Sequence, residues 1–164
     1  MSISLILAAG WLLHLGFWTW ALLRAGRDAA RRDEWIRETA LRVAMLVLVL
    51  AALLWPRAEW VHPGGAAQAL LLIAFLVGHV LAVVARIRLA GAWGVGVKPR
   101  AGARMVRSGP YRLLRHPIYI GTGIAILAQA ALLQNAPALV MALGALVLIP
   151  IKVLAERAAL RPGA

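Results

Sequence analysis

A chain of 164 residues that is 63% hydrophobic yet carries a formal net charge of +12 must keep its apolar and basic residues apart, which excludes an ordinary soluble domain and indicates an integral membrane protein. With no cysteine in the chain, disulfide frameworks, thiolate nucleophiles, cysteine metal sites and prenylation of the chain itself are excluded as well.

A membrane span needs about 20 apolar residues to cross a hydrocarbon core roughly 30 Å thick. The first such segment runs from Ile3 to Leu23. No basic residue precedes its apolar run, no cleavage site of small residues follows it, and Trp11, Trp18 and Trp20 suit interfacial anchoring, so a retained helix is predicted rather than a signal peptide. After it come Arg24, Arg27, Arg31, Arg32, Arg37 and Arg42 mixed with Asp28, Asp33, Glu34 and Glu38, the composition of a solvated amphipathic loop helix. The second span is predicted from Leu41 to Trp55, with Arg57 alone at its far end, and the third from Ala66 to Ala85. His14, His62 and His79 read as packing residues of a membrane bundle.

The next stretch carries Arg86, Arg88, Lys98, Arg100, Arg104, Arg107, Arg112 and Arg115 with no acidic residue among them, a positive field suited to a carboxylate or phosphate. Nucleic acid is a poor partner for it, because the charges are tied to membrane edges and no aromatic stacking platform is interleaved. Gly91-x-x-Gly94-x-Gly96 follows no strand, so a dinucleotide-binding unit is excluded and a flexible loop is expected. Ser108-Gly109-Pro110-Tyr111 reads as a helix start, with Ser or Gly as the cap and Pro in the first turn, opening a short interfacial helix over Arg112 to Arg115. Pro117 pushes His116 out of the α region before the fourth span begins at Ile118, and a backbone break at the bilayer edge is tolerated only where protein, water or ligand satisfies it. The fourth span ends at Leu133 and Gln134-Asn135-Ala136-Pro137 reverses the chain into a fifth span from Pro137 to Leu154, where Pro150 is expected to kink the helix near Lys152. Gly121, Gly123 and Ala125 give the fourth span a small-residue face. No His, Asp or Glu cluster has metal-ligand spacing.

Five spans place every basic cluster on one face, which the positive-inside rule assigns to the cytoplasm, with the N-terminus outside and the C-terminus inside. The predicted fold is therefore an all-α polytopic bundle of five transmembrane helices, a single domain over residues 1–164 with its site at the cytoplasmic face.

The run Ser-Gly-Pro-Tyr-Arg-x-x-Arg-His-Pro-x-Tyr-x-Gly, standing at Ser108 to Gly121, closely resembles the core motif of the isoprenylcysteine carboxyl methyltransferase family and its bacterial relatives, membrane enzymes that use S-adenosylmethionine. The likeness is good from Arg86 to Gly123, including Leu89-Ala90-Gly91-Ala92-Trp93, weak over the last span, and in the first two spans extends only to their apolar character. It implies that Met105, Val106, Tyr111, His116, Pro117 and Tyr119 line an S-adenosylmethionine site. It also implies that Lys152 and Glu156 match a basic residue and an acid one turn later, although Ala155 stands where a first acid is expected. The family tends to continue into a tail with Phe-Gly and Tyr, whereas this sequence stops at Arg161-Pro162-Gly163-Ala164, so either the tail is dispensable here or the sequence is short, with reduced or altered activity as a consequence to test.

The expected function is methyl transfer to a lipophilic acceptor entering from the bilayer of a bacterial inner membrane, most simply a carboxylate of the isoprenylcysteine type. Displacement at a sulfonium demands alignment and exclusion of water more than ionisable groups. A carboxylate is already deprotonated, so Arg115 or Lys152 need only hold it, whereas an amine acceptor requires a base and Glu156 is placed for that. Lys152 and Glu156 also read as a plain i,i+4 ion pair. The alternatives are a phospholipid, amine or thiol methyltransferase, a nicotinamide-dependent membrane reductase, and a catalytically silent scaffold of the same fold.

Overall fold

The computed structural model describes residues 3–24, 32–56, 63–89 and 106–159. These form α1 (Ile3–Arg24), α2 (Arg32–Leu54), α3 (Gly65–Leu89), a single turn of 3-10 helix (Gly109–Arg112), α4 (Pro117–Leu133) and α5 (Ala136–Ala159), with no strand among the described residues. Helices α1 and α3 and the Ala136–Leu154 part of α5 are long and apolar enough to cross a membrane; Thr39–Leu54 within α2 and Pro117–Leu133 are shorter apolar helices. Leu12, Leu13 and Leu23 on α1, Val80 and Ile87 on α3, and Val147 and Leu148 on α5 all face outward. An exterior of that kind is costly in water and natural against lipid tails. Where α1 ends, the Arg24 guanidinium sits 4.8 Å above the Trp20 ring, a cation and an aromatic at the same helix end.

The closest approach in the bundle is between α3 and α4. A Cβ added to Gly121 would lie 2.5 Å from the Gly78 carbonyl oxygen and 2.8 Å from the Ala82 nitrogen; one added to Gly78 would lie 2.6 Å from the Gly121 oxygen and 2.8 Å from the Ala125 nitrogen. The two helices thus meet backbone to backbone, which only paired glycines permit. Gly121 and Ala125 serve this contact as the small-residue face predicted, while Gly123 points to α5, where an added Cβ would meet Ile149 Cδ1 at 3.4 Å.

Polar side chains tie the remaining helices to this pair. Trp11 Nε1 on α1 donates to Gln129 Oε1 on α4, and Gln129 Nε2 lies 3.8 Å from the Met141 sulfur on α5. His14 and His79, the expected packing residues of α1 and α3, are buried with their Nδ1 atoms 2.9 Å apart and pack edge-on against Trp11 and, for His79, Phe75. One imidazole must donate and the other accept across that distance. Among the described residues His79 Nε2 is buried with no hydrogen-bond partner. In hydrocarbon, where no water competes, such bonds act as interhelical glue.

The α4–α5 hairpin forms as predicted. Gln134 takes the left-handed conformation at φ 49° and returns its N–H to the Ala130 carbonyl, a usual way for a helix to stop. Asn135 then caps α5: its Oδ1 accepts the Ala138 N–H at 3.1 Å, while its Nδ2 donates to the Ala52 carbonyl at 2.7 Å and so fastens the end of α2. Helix α5 continues through Pro150 to Ala159.

The short helix before α4 differs from expectation. It lies at Gly109–Arg112 rather than Arg112–Arg115, and residues 113–116 are non-helical. The Pro110 carbonyl accepts the N–H groups of both Leu113 (3.2 Å) and Leu114 (2.9 Å), which closes the turn, and Pro117 disfavours helix at the residue before it. Gly109 enters that turn at φ +59° with the Arg88 side chain lying across it, so both conformation and space call for glycine.

Candidate functional site

The residues Ser108 to Gly121 fold against the last turn of α3 and the start of α4. His116 holds φ −133° and ψ 60°, outside the α region, and occupies the N-cap of α4 without a side-chain capping bond. Its carbonyl accepts the Ile120 N–H at 3.1 Å, so α4 is in register from its first turn. Pro117 takes the first helical position, where its missing N–H costs nothing, and is fully buried. The imidazole is therefore held at a helix N-terminus, the electropositive end, by a buried proline behind it.

Helix registers decide what else reaches this end. The antiparallel contact of Ala82 with Gly121 brings α3 level with the start of α4 four residues later, at Arg86. The contact of Gly123 with Ile149 brings α5 level with Ile120 at Lys152 and with His116 at residue 156. Three helix ends that are far apart in sequence thus converge on the motif.

The predicted site residues are not all drawn together. The His116 and Tyr119 rings are neighbours, with centroids 6.3 Å apart and planes tilted by 35°. Tyr111, half-buried in the 3-10 turn, instead lies near Arg86 at the end of α3. Val106 is half-buried just ahead of the turn, Arg115 is exposed on the bend, and Lys152 is half-buried on α5. Met105, the glycine-bearing stretch 90–105 and the side chains of Ala155 and Glu156 lie outside the described residues. Among the described residues no group of three or more potential ligands could hold a metal ion.

Arg86 is the residue that sequence reasoning passed over. It stood as one of eight basic residues in a run, and nothing in that run separates it from Arg88. Folding does separate them: Arg88 is exposed with its stem on Gly109, whereas Arg86 is half-buried with its Nε enclosed.

Chemically, the site joins a positive helix end, the basic side chains of Arg86 and Arg115, and aromatic rings at the edge of an apolar bundle. Those are the needs of a ligand that carries a carboxylate, a flat heterocycle and a sulfonium, since carboxylates bind helix N-termini and cations and a sulfonium is stabilised over aromatic faces. The residues present therefore fit S-adenosylmethionine.

The sequence profile of the isoprenylcysteine carboxyl methyltransferase family matches residues 70–162, more than half of the chain and all of the convergent end just described. No curated protein and no solved structure matches it.

Proposed function

The chain belongs to the isoprenylcysteine carboxyl methyltransferase family, and on that premise we propose that it methylates a carboxylate on a lipophilic acceptor at the cytoplasmic face of a bacterial inner membrane. Membership makes it a methyltransferase of a family that in general uses S-adenosylmethionine, and its apolar exterior makes it an integral membrane protein. In the proposed topology the two shorter apolar helices complete a set of five spans, with the N-terminus outside and every basic loop on the cytoplasmic side.

S-adenosylmethionine, when bound, supplies an electrophilic methyl group on a positively charged sulfur. The half-buried His116 and Tyr119 rings, with Tyr111, Pro117 and the backbone about Met105 and Val106, would hold and orient it. Lys152, or Arg115 at the rim, would attract the acceptor carboxylate without forming a pair so tight that its oxygen loses nucleophilicity. No base is needed for a carboxylate; Glu156 would serve as one only for an amine. The apolar helices around the site exclude water, and alignment of the two reactants carries much of the rate.

The observation that carries this proposal is the Ser108–Gly121 motif standing where the ends of α3, α4 and α5 converge, within the span matched by the family. Calorimetric titration of the purified protein with S-adenosylmethionine tests the cofactor directly. Transfer of labelled methyl to N-acetyl-S-farnesylcysteine or to extracted membrane lipid tests the acceptor. A base-labile methyl ester is expected; label only in a base-stable amine would overturn the carboxylate assignment, and no heat on titration would overturn the methyltransferase itself.

A further inference from the structure

The cation best placed to recognise a carboxylate is one that the motif does not contain. Arg86 sits on the last turn of α3, level with the first residues of α4, because Gly78 and Gly121 lock those helices backbone to backbone. It is half-buried with its Nε enclosed by protein, and it lies close enough to Tyr111 for an ionised phenol there to favour its charge. Arg115, by contrast, is exposed on the bend. That difference favours Arg86 for holding a carboxylate in place and leaves Arg115, at the rim, to attract it. An ion pair in open water is worth little, because screening and side-chain entropy offset it, whereas a charge-assisted bond to a partly desolvated guanidinium is stronger and fixes the orientation of what it holds. The guanidinium fork also matches a carboxylate in two-point geometry, which a lysine ammonium cannot do. The sequence from Arg86 to Arg115 is basic and without an acid, and among the described residues Arg88, Arg107, Arg112 and Arg115 add charge of the same sign.

We propose that Arg86, together with the Tyr111 hydroxyl, is a carboxylate-recognition site of the methyl-transfer centre. This rests on the proposed function and assigns there a binding residue outside the motif. Two molecules could bring the carboxylate, the acceptor and the amino-acid end of the cofactor, and the same chemistry serves either. Arg88, two residues on, packs its side chain across Gly109 instead.

The test uses the full chain purified in detergent, as wild type, Arg86→Gln and Arg86→Lys. In one arm, calorimetry measures S-adenosylhomocysteine and its decarboxylated analogue; in the other, labelled methyl transfer gives KM and kcat for N-acetyl-S-farnesylcysteine. If the cofactor supplies the carboxylate, Arg86→Gln weakens S-adenosylhomocysteine by about tenfold or more and erases the wild-type preference over the decarboxylated analogue. If the acceptor supplies it, cofactor affinity holds and the acceptor KM rises by about tenfold with kcat largely retained. Arg86→Lys recovers part of whichever is lost, because charge returns without the fork. Wild-type behaviour of Arg86→Gln in both arms overturns the inference. So does equal weakening of both cofactor analogues with no acceptor effect, since that is damage to the fold rather than loss of a carboxylate contact. A wild type that binds no S-adenosylhomocysteine brings down the proposed function as well, which separates the two failures.

Discussion

The molecule holds histidines in two kinds of place. In the middle of the bundle His14 and His79 face each other at 2.9 Å, enclosed by Trp11 and Phe75, with the Trp11–Gln129 bond beside them. At the end of the bundle His116 is half-buried at a backbone break, beside Tyr119 but without a capping role. The first arrangement joins two helices through their Nδ1 atoms, with His79 Nε2 lacking a hydrogen-bond partner among the described residues; the second places an imidazole at the end of the bundle, at a helix end that favours anions. What separates glue from a proposed binding group is therefore the backbone around it, a continuous helix in one case and a proline-enforced interruption in the other.

The largest expected effect comes from breaking what both regions share. Gly121→Leu would drive a side chain into the Gly78 carbonyl and the Ala82 backbone, neither of which can yield as a side-chain tip can. Overpacking of a tight contact costs about 1–3 kcal/mol and more where backbone is struck. The variant should lose monodisperse folded protein in size-exclusion chromatography, and with it both the central cluster and the site.

The comparison sharpens when one region is cut and the other left. His116→Ala should weaken S-adenosylmethionine by about tenfold or more in calorimetry and move the thermal midpoint less than His79→Phe does, since it is half-buried at the end of the bundle rather than enclosed within it. His79→Phe should do the reverse, lowering stability by about 0.5–2 kcal/mol with cofactor affinity nearly unchanged. A double-mutant cycle of His14→Phe and His79→Phe, read by denaturation in mixed micelles, should give a coupling of about 0.5–1.5 kcal/mol. Loss of cofactor binding in His79→Phe at unchanged stability would erase the division drawn between the two regions.

Much of this was legible from sequence, for identifiable reasons. Long apolar runs bounded by arginine located the helices, except that α2 begins at Arg32, well before the predicted span at Leu41, and takes in charged residues expected to form a loop helix; Gln134–Asn135 located the hairpin, because a left-handed stop and an Asn cap are local matters. Pro117 announced the break at His116 for the same reason. The Gly121 and Ala125 face was visible, but its partner Gly78 was not, since nothing local distinguishes one glycine of a helix from another. Arg86 escaped notice because its burial depends on a helix register, and registers arise only when helices pack. The displacement of the short helix to Gly109–Arg112 turned on the Pro110 carbonyl taking two N–H groups, a competition that spacing alone does not decide.

The smallest expected effect tests the two caps against each other. Ser108 stands at the N-cap position of the 3-10 turn with extended backbone, the place and the residue type in which a side-chain capping bond is usual, yet its hydroxyl makes no such bond. Asn135 makes one and adds a second bond to the end of α2. Ser108→Ala should therefore change the unfolding free energy by less than about 0.5 kcal/mol, within the range of surface substitutions that touch nothing. Asn135→Ala should cost about 1–2 kcal/mol, the ordinary worth of an N-cap. Both follow from thermal or denaturant unfolding of the detergent-solubilised protein. A loss in Ser108→Ala as large as that in Asn135→Ala would mean that the turn before α4 is held by its cap after all, and that the shape of the site depends on Ser108 rather than on Gly109, Pro110 and Pro117.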